Sequence, residues 1–193
     1  MRLILVRHGE TNENKSRIIQ GHLPGDLTKE GVLQAKKLAQ RLAHEKFEVI
    51  ISSDLKRAVD TTKIILKQHK KIPVIYTKII RERNYGILHG KSWNLLPDYV
   101  AQRVNYRPKR GESLVDLRKR AIKAWDSLRK SYYGKSVLIV SHGSFNRQLL
   151  GYLLNKTVKE SLTLNQSNAS VNIIETSEDS RHKVHLIGCT KHL

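Results

Sequence analysis

A single cysteine, Cys189, stands among 193 residues, which excludes an internal disulfide framework; the thiol is expected to be an inert part of the core. No apolar run approaches the ~18 residues that a bilayer span needs, so no membrane partner is expected. The opening residues are apolar only over 3–6 before charge returns. A signal-peptide core needs roughly 7–15, so this run is read as a buried strand and the protein as cytoplasmic. No fixed-period repeat and no low-complexity linker divides the chain. Aromatic residues make up only 6%, and none interleave with the basic clusters at 67–71, 107–110 and 118–120 as a single-strand stacking platform requires. Acidic residues are also scarce, 17 against 36 Lys and Arg, for a net charge of +19. Such a balance suits anionic partners: phosphorylated metabolites, nucleic acid or acidic surfaces. Most of the charge is expected on solvated helix faces. His182 and His185 have no thiolate or carboxylate cluster with them, so no metal is expected, and no cofactor is called for.

What is present alternates between strand and helix. Short apolar runs at 3–6, 49–51, 74–76 and 137–140 lack strict alternation, as strands buried on both faces do. Between them, residues 28–44 carry Val32, Ala35, Leu38, Ala39 and Leu42 at helical spacing behind Thr28 as N-cap. Ser53 is expected to cap a second helix. Ser113-Leu-Val-Asp116 resembles a capping box opening a third, and residues 145–154 form a fourth. Residues 171–175 and 183–187 read as an antiparallel hairpin at one edge. This pattern predicts a three-layer α/β/α sandwich, mostly parallel with one antiparallel edge strand. One domain over 1–193 is expected, with a short helical insertion at about 91–112 and a short helix around 93–104.

Two strands finish alike. Residues 3–6 run into Arg7-His8-Gly9, and residues 137–140 into Ser141-His142-Gly143. In an open α/β sheet ligands bind beyond the carboxyl ends of the strands. If the two strands are parallel neighbours, both His-Gly pairs face one crevice, where glycine permits close approach and positive φ. Arg7 and Arg57 offer planar donor forks suited to phosphate oxygens. The helix starts near Ser53 and after Gly143 add free N–H groups.

The order of motifs resembles that of the histidine phosphatase superfamily, the phosphoglycerate mutase-like group, over nearly the whole chain. Residues 5–11 (LVRHGET) look like its signature. Asn14, Gln20-Gly21, residues 27–35, residues 52–61 (SSDLKRAVDT), residues 81–86 (RERNYG), residues 111–113 and residues 140–143 follow in the family's order. The resemblance implies that His8 is the nucleophile and becomes phosphorylated. Arg7, Arg57 and His142 would bind the transferring phosphoryl group, and Glu82 would donate a proton to the leaving oxygen. Asn14, Gln20, Gly21 and Tyr85 would line the substrate side, with Gly143 and Ser144 supplying backbone contacts. Neighbouring arginines favour the neutral imidazole that attack requires. Arg81 and Arg83 beside Glu82 would keep it ionised, unless an extended backbone turns them away.

The expected activity is a metal-independent phosphatase acting on a small phosphorylated metabolite, a sugar phosphate or phosphoglycerate, with the protein a monomer or homodimer. Cofactor-dependent mutases that the chain resembles carry a longer insertion after the Tyr-Gly segment. Here about twenty residues separate Gly90 from Gly111, and a more open site favours hydrolysis. A mutase and a basic nucleic-acid-binding protein with a vestigial site are the alternatives. The intact set His8, Arg7, Arg57, Glu82 and His142 argues against a vestigial site, and so against nucleic acid as the partner, since decay would not spare all five. His22 and His89 flank the motifs, and Lys91 with the 107–110 loop could meet a second phosphate.

Overall fold

The computed structural model describes residues 1–69, 71–95, 103–179 and 181–193. The four apolar runs become β1 (Arg2–Arg7), β2 (Val49–Ser53), β3 (Val74–Thr77) and β4 (Ser136–Ser141). The final pair becomes β5 (Val171–Thr176) and β6 (His182–Cys189). They join in one sheet of order β3-β2-β4-β1-β5-β6. The pairs β2–β3, β2–β4 and β1–β4 are parallel. The antiparallel part lies at one edge, as the short polar turn predicts. It is a hairpin in which β5 runs against β1 and β6 is outermost.

The helices are α1 (Asn12–Lys15), α2 (Lys29–Leu42), α3 (Lys56–Leu66), α4 (Leu114–Ser131) and α5 (Gly143–Leu153). Alternate strand residues divide between two cores. Leu3, Leu5, Val49, Ile51, Val137 and Ile139 pack under α4 and α5 around Trp125, Phe145 and Leu149. Ile4, Val6, Ile50, Leu138 and Val140 pack under α2 and α3 around Leu38, Leu42 and Ile65. Both faces of β1, β2 and β4 are therefore covered, which is why these runs are apolar at every position; β3, expected to be buried likewise, is an edge strand and leaves Ile75 and Tyr76 exposed. Among the described residues no helix is long and apolar enough to cross a membrane.

Local chemistry sets the helix starts. Thr28 accepts from the Gly31 N–H, and Ser113 and Asp116 form the expected reciprocal box. The short α1, which the periodicity did not reveal, has its own box between Thr11 and Asn14. Ser53 is not the cap of α3. It remains in β2 opposite Thr77, its hydroxyl accepts from the Leu55 N–H, and Leu55 takes the cap position. Cys189 is half-buried rather than in the core, because β6 is the edge strand. The insertion at 91–112 and the helix over 93–104 fall partly on residues 96–102, outside the described residues. Residues 93–95 make a single 3-10 turn.

Candidate active site

Strands β1 and β4 are parallel neighbours with Arg7 opposite Ser141. His8 and His142 therefore leave the sheet side by side, at the carboxyl ends where an open sheet binds ligands. Their rings lie 5.1 Å apart between centroids, inclined at 57°, and both are buried. Neither following glycine uses positive φ, contrary to the expectation. Gly9 is needed for a backbone crossing: a Cβ there would stand 2.4 Å from the Gly31 carbonyl oxygen. At Gly143 a Cβ would lie 3.4 Å from the guanidinium groups of both Arg7 and Arg147. The left-handed turn belongs instead to Gly21, at φ +48°.

Hydrogen bonding fixes which nitrogen of His8 is free. Nδ1 lies 2.7 Å from the Gly9 carbonyl oxygen, so it carries the proton. Nε2 then presents a lone pair and accepts from Arg57 Nε at 3.2 Å. Burial, then Arg57 and Arg7, hold the His8 ring well below the usual 6.5. His142 is lowered as strongly, by burial first and then by Arg57, His8 and Arg7. Both rings are neutral at pH 7. Arg7 Nε and both ring nitrogens of His142 are buried without a hydrogen-bond partner. Buried polar atoms are ordinarily paired, so these atoms beside His8 are free to engage an anion.

The neutral rings set a pH dependence of stability. Below pH 6.5 an unfolded imidazole takes up a proton that the folded rings refuse. The unfolded state then binds more protons, so stability falls as pH drops from 6.5 toward the depressed folded values. Urea midpoints at pH 7 and pH 5 should show a loss at pH 5 that is smaller in His142→Gln. An equal loss in both proteins contradicts this assignment.

The two arginines are held differently. Arg57 donates to the carbonyls of Gly21 and Leu23, each at 2.7 Å, which ties the 21–23 loop over His8. Arg7 Nη1 donates to the Gln166 carbonyl at 2.7 Å. Gln166 is itself fixed by buried Asn172, which reaches back to the Leu5 carbonyl of β1. Burial lowers both guanidinium groups to about 10, which leaves them charged at neutral pH.

The cations flanking Glu82 are committed to other partners. Arg81 pairs with Asp54, and Arg83 donates to the carbonyls of Glu112 and Tyr106. The Glu82 carboxylate accepts from the backbone N–H groups of Ser144 at 3.0 Å, Phe145 at 3.2 Å and Arg83 at 2.8 Å. It thus sits on the N-terminus of α5, where partial positive charge favours an anion. Arg120 holds the segment from below. It donates to the carbonyls of Ile79, Arg81 and Glu82 and pairs with Glu112 at 2.8 Å. The 118–120 cluster is therefore not simply solvated charge, since Arg118 also bonds inward, to Gln148 and Ser161.

A cavity of about 260 Å³ brings together Arg7, His8, Arg57 and Glu82 with Asn14, Gln20, Gly21, Tyr85, Gly143 and Ser144. His142 is not in the lining; its ring is buried beside His8, 5.1 Å away between centroids. The lining also includes Ile18, Trp93 and Arg147, none of which carried an expected site role. Asn14 spends its side-chain oxygen on Thr11 and Asn168, and Gln20 donates to Glu13. Lys91 and the 107–110 loop are not in the lining. His22 and His89 brace the wall: His89 Nε2 accepts from the N–H groups of His22 and Tyr85, and His22 Nε2 donates to the Glu82 carbonyl. A larger hollow of about 550 Å³ lies at the opposite end of β1, around Met1, Arg2 and His182, away from both site histidines.

The family model described as the histidine phosphatase superfamily (branch 1) matches residues 3–188. A protein of Schizosaccharomyces pombe named a probable phosphatase is 34% identical, over 100% of this chain and 95% of its own. A metal-independent phosphoserine phosphatase of Arabidopsis thaliana is 35% identical, over 89% of this chain and 75% of its own. The solved structure of YhfR from Bacillus stearothermophilus superposes with a TM-score of 0.91 at 30% identity, covering 99% of this chain and 98% of that one.

Proposed function

Since the chain belongs to the histidine phosphatase superfamily, we propose that it hydrolyses phosphate monoesters of small metabolites without a metal, through a phosphohistidine on His8. The observation that carries this reading is the His8 ring itself: its Nδ1 proton is bound by Gly9 and its Nε2 lone pair lies among Arg7, Arg57 and His142.

In the first half-reaction Nε2 attacks phosphorus and the P–O ester bond breaks. Charge spread over the equatorial oxygens is met by Arg7, Arg57, His142 and the N-terminus of α5. The Gly9 carbonyl, bonded to Nδ1–H, stabilises the positive ring that forms. An incoming phosphate places negative charge beside Glu82 and competes for the Ser144 N–H. Glu82 gives a proton to the departing alkoxide. In the second half-reaction Glu82 takes a proton from water, water oxygen bonds to phosphorus, and the P–N bond breaks to release phosphate and neutral His8.

A 260 Å³ cavity is at the small end for ligand sites, which favours a compact sugar phosphate or phosphorylated acid over a macromolecule. The name of the Arabidopsis relative agrees with metal independence. A hydrolysis panel with EDTA tests the reading: sugar phosphates, phosphoglycerates, phosphoserine and p-nitrophenyl phosphate should release inorganic phosphate at undiminished rates. Activity lost to EDTA and restored by a divalent cation would contradict metal independence. Isomerised phosphoglycerate instead of free phosphate would favour the mutase.

A further inference from the structure

Arg147 is the one cation of the cavity lining that the mechanism above does not use. It lies one turn into α5, with Nε fixed to the Leu164 carbonyl at 2.9 Å. Its Nη1 and the Arg7 guanidinium come equally close, 3.4 Å, to the point where a Gly143 side chain would begin. Two guanidinium groups therefore flank Gly143 on the cavity wall, and Arg147 depresses the Arg7 pKa as a like charge. Among the described residues no carboxylate forms an ion pair with Arg147, and its two Nη groups make no hydrogen bond.

The donors nearest His8 are Arg7 Nε and His142, both unpartnered, and Arg57, which bonds the His8 ring; the first N–H groups of α5 are taken by Glu82. Arg147 is surplus to that set. With Nε committed, what remains is the end-on Nη1/Nη2 pair, whose spacing fits the two oxygens of a carboxylate. Tyr85 and Trp93, in edge contact at 5.4 Å between centroids, limit the space for anything longer. Resting on the phosphatase reading, we infer that Arg147 binds a carboxylate on the substrate, and that the preferred substrates are short phosphorylated hydroxy or amino acids rather than phosphate esters that lack a carboxylate.

The test compares Arg147→Met and Arg147→Lys with the wild type on four substrates. Phosphoserine and 3-phosphoglycerate carry a carboxylate; glycerol phosphate and p-nitrophenyl phosphate do not. Wild type should prefer the two acids to glycerol phosphate. Arg147→Met should lower kcat/KM for the acids by about 10- to 100-fold, mainly through KM, as expected for a lost charged hydrogen-bond pair. It should leave the two esters without a carboxylate within about threefold of wild type, which also reports that the variant is folded. Arg147→Lys, with a point charge in place of the fork, should recover part of the loss. An equal fall on all four substrates would assign Arg147 to the phosphoryl group or to the fold, and no fall on the acids would remove it from recognition; either overturns the inference while leaving the phosphatase standing. Wild type that releases phosphate from none of the four would overturn both.

Discussion

Replacing His8 by alanine should lower phosphate release from every substrate by at least ~10⁴-fold, the scale seen when a covalent nucleophile is removed. The loss should appear in kcat, because the arginines and the α5 N-terminus that bind the phosphoryl group remain. The variant should stay folded. The His8 side chain donates only to the adjacent Gly9 carbonyl and accepts only from Arg57, while its backbone keeps the bonds to Ser141 and Ala169. A variant retaining a tenth of wild-type turnover would mean that water or another side chain attacks phosphorus directly, with the arginines serving only as a clamp.

Glu82→Gln should separate substrates by leaving group. The amide oxygen can still accept the Ser144 and Phe145 N–H groups that now meet the carboxylate, so the wall should be preserved. What is lost is the proton for the leaving oxygen. For alkyl phosphates the fall in kcat should reach ~10²–10⁴-fold, the usual yield of general acid catalysis. For p-nitrophenyl phosphate, whose phenolate departs without help, the first half-reaction should be nearly unaffected, visible as a retained burst of p-nitrophenol before slow dephosphorylation. Equal losses in the first half-reaction for both substrates would show that Glu82 positions the α5 N-terminus and does not transfer a proton.

The parts of this site that could be read from sequence are those whose position follows from strand periodicity. His8 and His142 each stand two residues past an apolar run, and two parallel neighbours must bring them together; the rings lie 5.1 Å apart in that register. Glu82 could be placed through the family motif, but not its seat on α5, which depends on a contact across 62 residues. Arg120 was hidden for a different reason. In a run of basic residues on an amphipathic helix, nothing local distinguishes the arginine that turns inward to three carbonyls from those that face water. Asn168 and Gln166 were invisible as single polar residues in a loop, yet one braces the His8 carbonyl and the other anchors Arg7. Arg147 lay inside a helix that periodicity had already explained by packing. The sequence marks Gly9 and Gly21 alike as glycine, but only tertiary contact reveals that Gly9 serves a backbone crossing and Gly21 the left-handed turn.

The supports of the site also explain its buried charge. Isolated cations in an apolar interior are costly, and here each is paid out to backbone oxygen: Arg57 to the 21–23 loop, Arg7 to Gln166, Arg120 to the 79–82 segment. These bonds fix the guanidinium groups before a substrate arrives, so little reorganisation is needed as charge develops on phosphorus.

The most direct measurement is to quench turnover of labelled substrate in base within milliseconds and map the phosphorylated peptide. The account predicts acid-labile, base-stable phosphorus on the peptide containing residues 7–9, bonded to Nε2 of His8 and absent when His8 is replaced. Rapid turnover with no phosphorus on residue 8, or with it on another side chain, would contradict it.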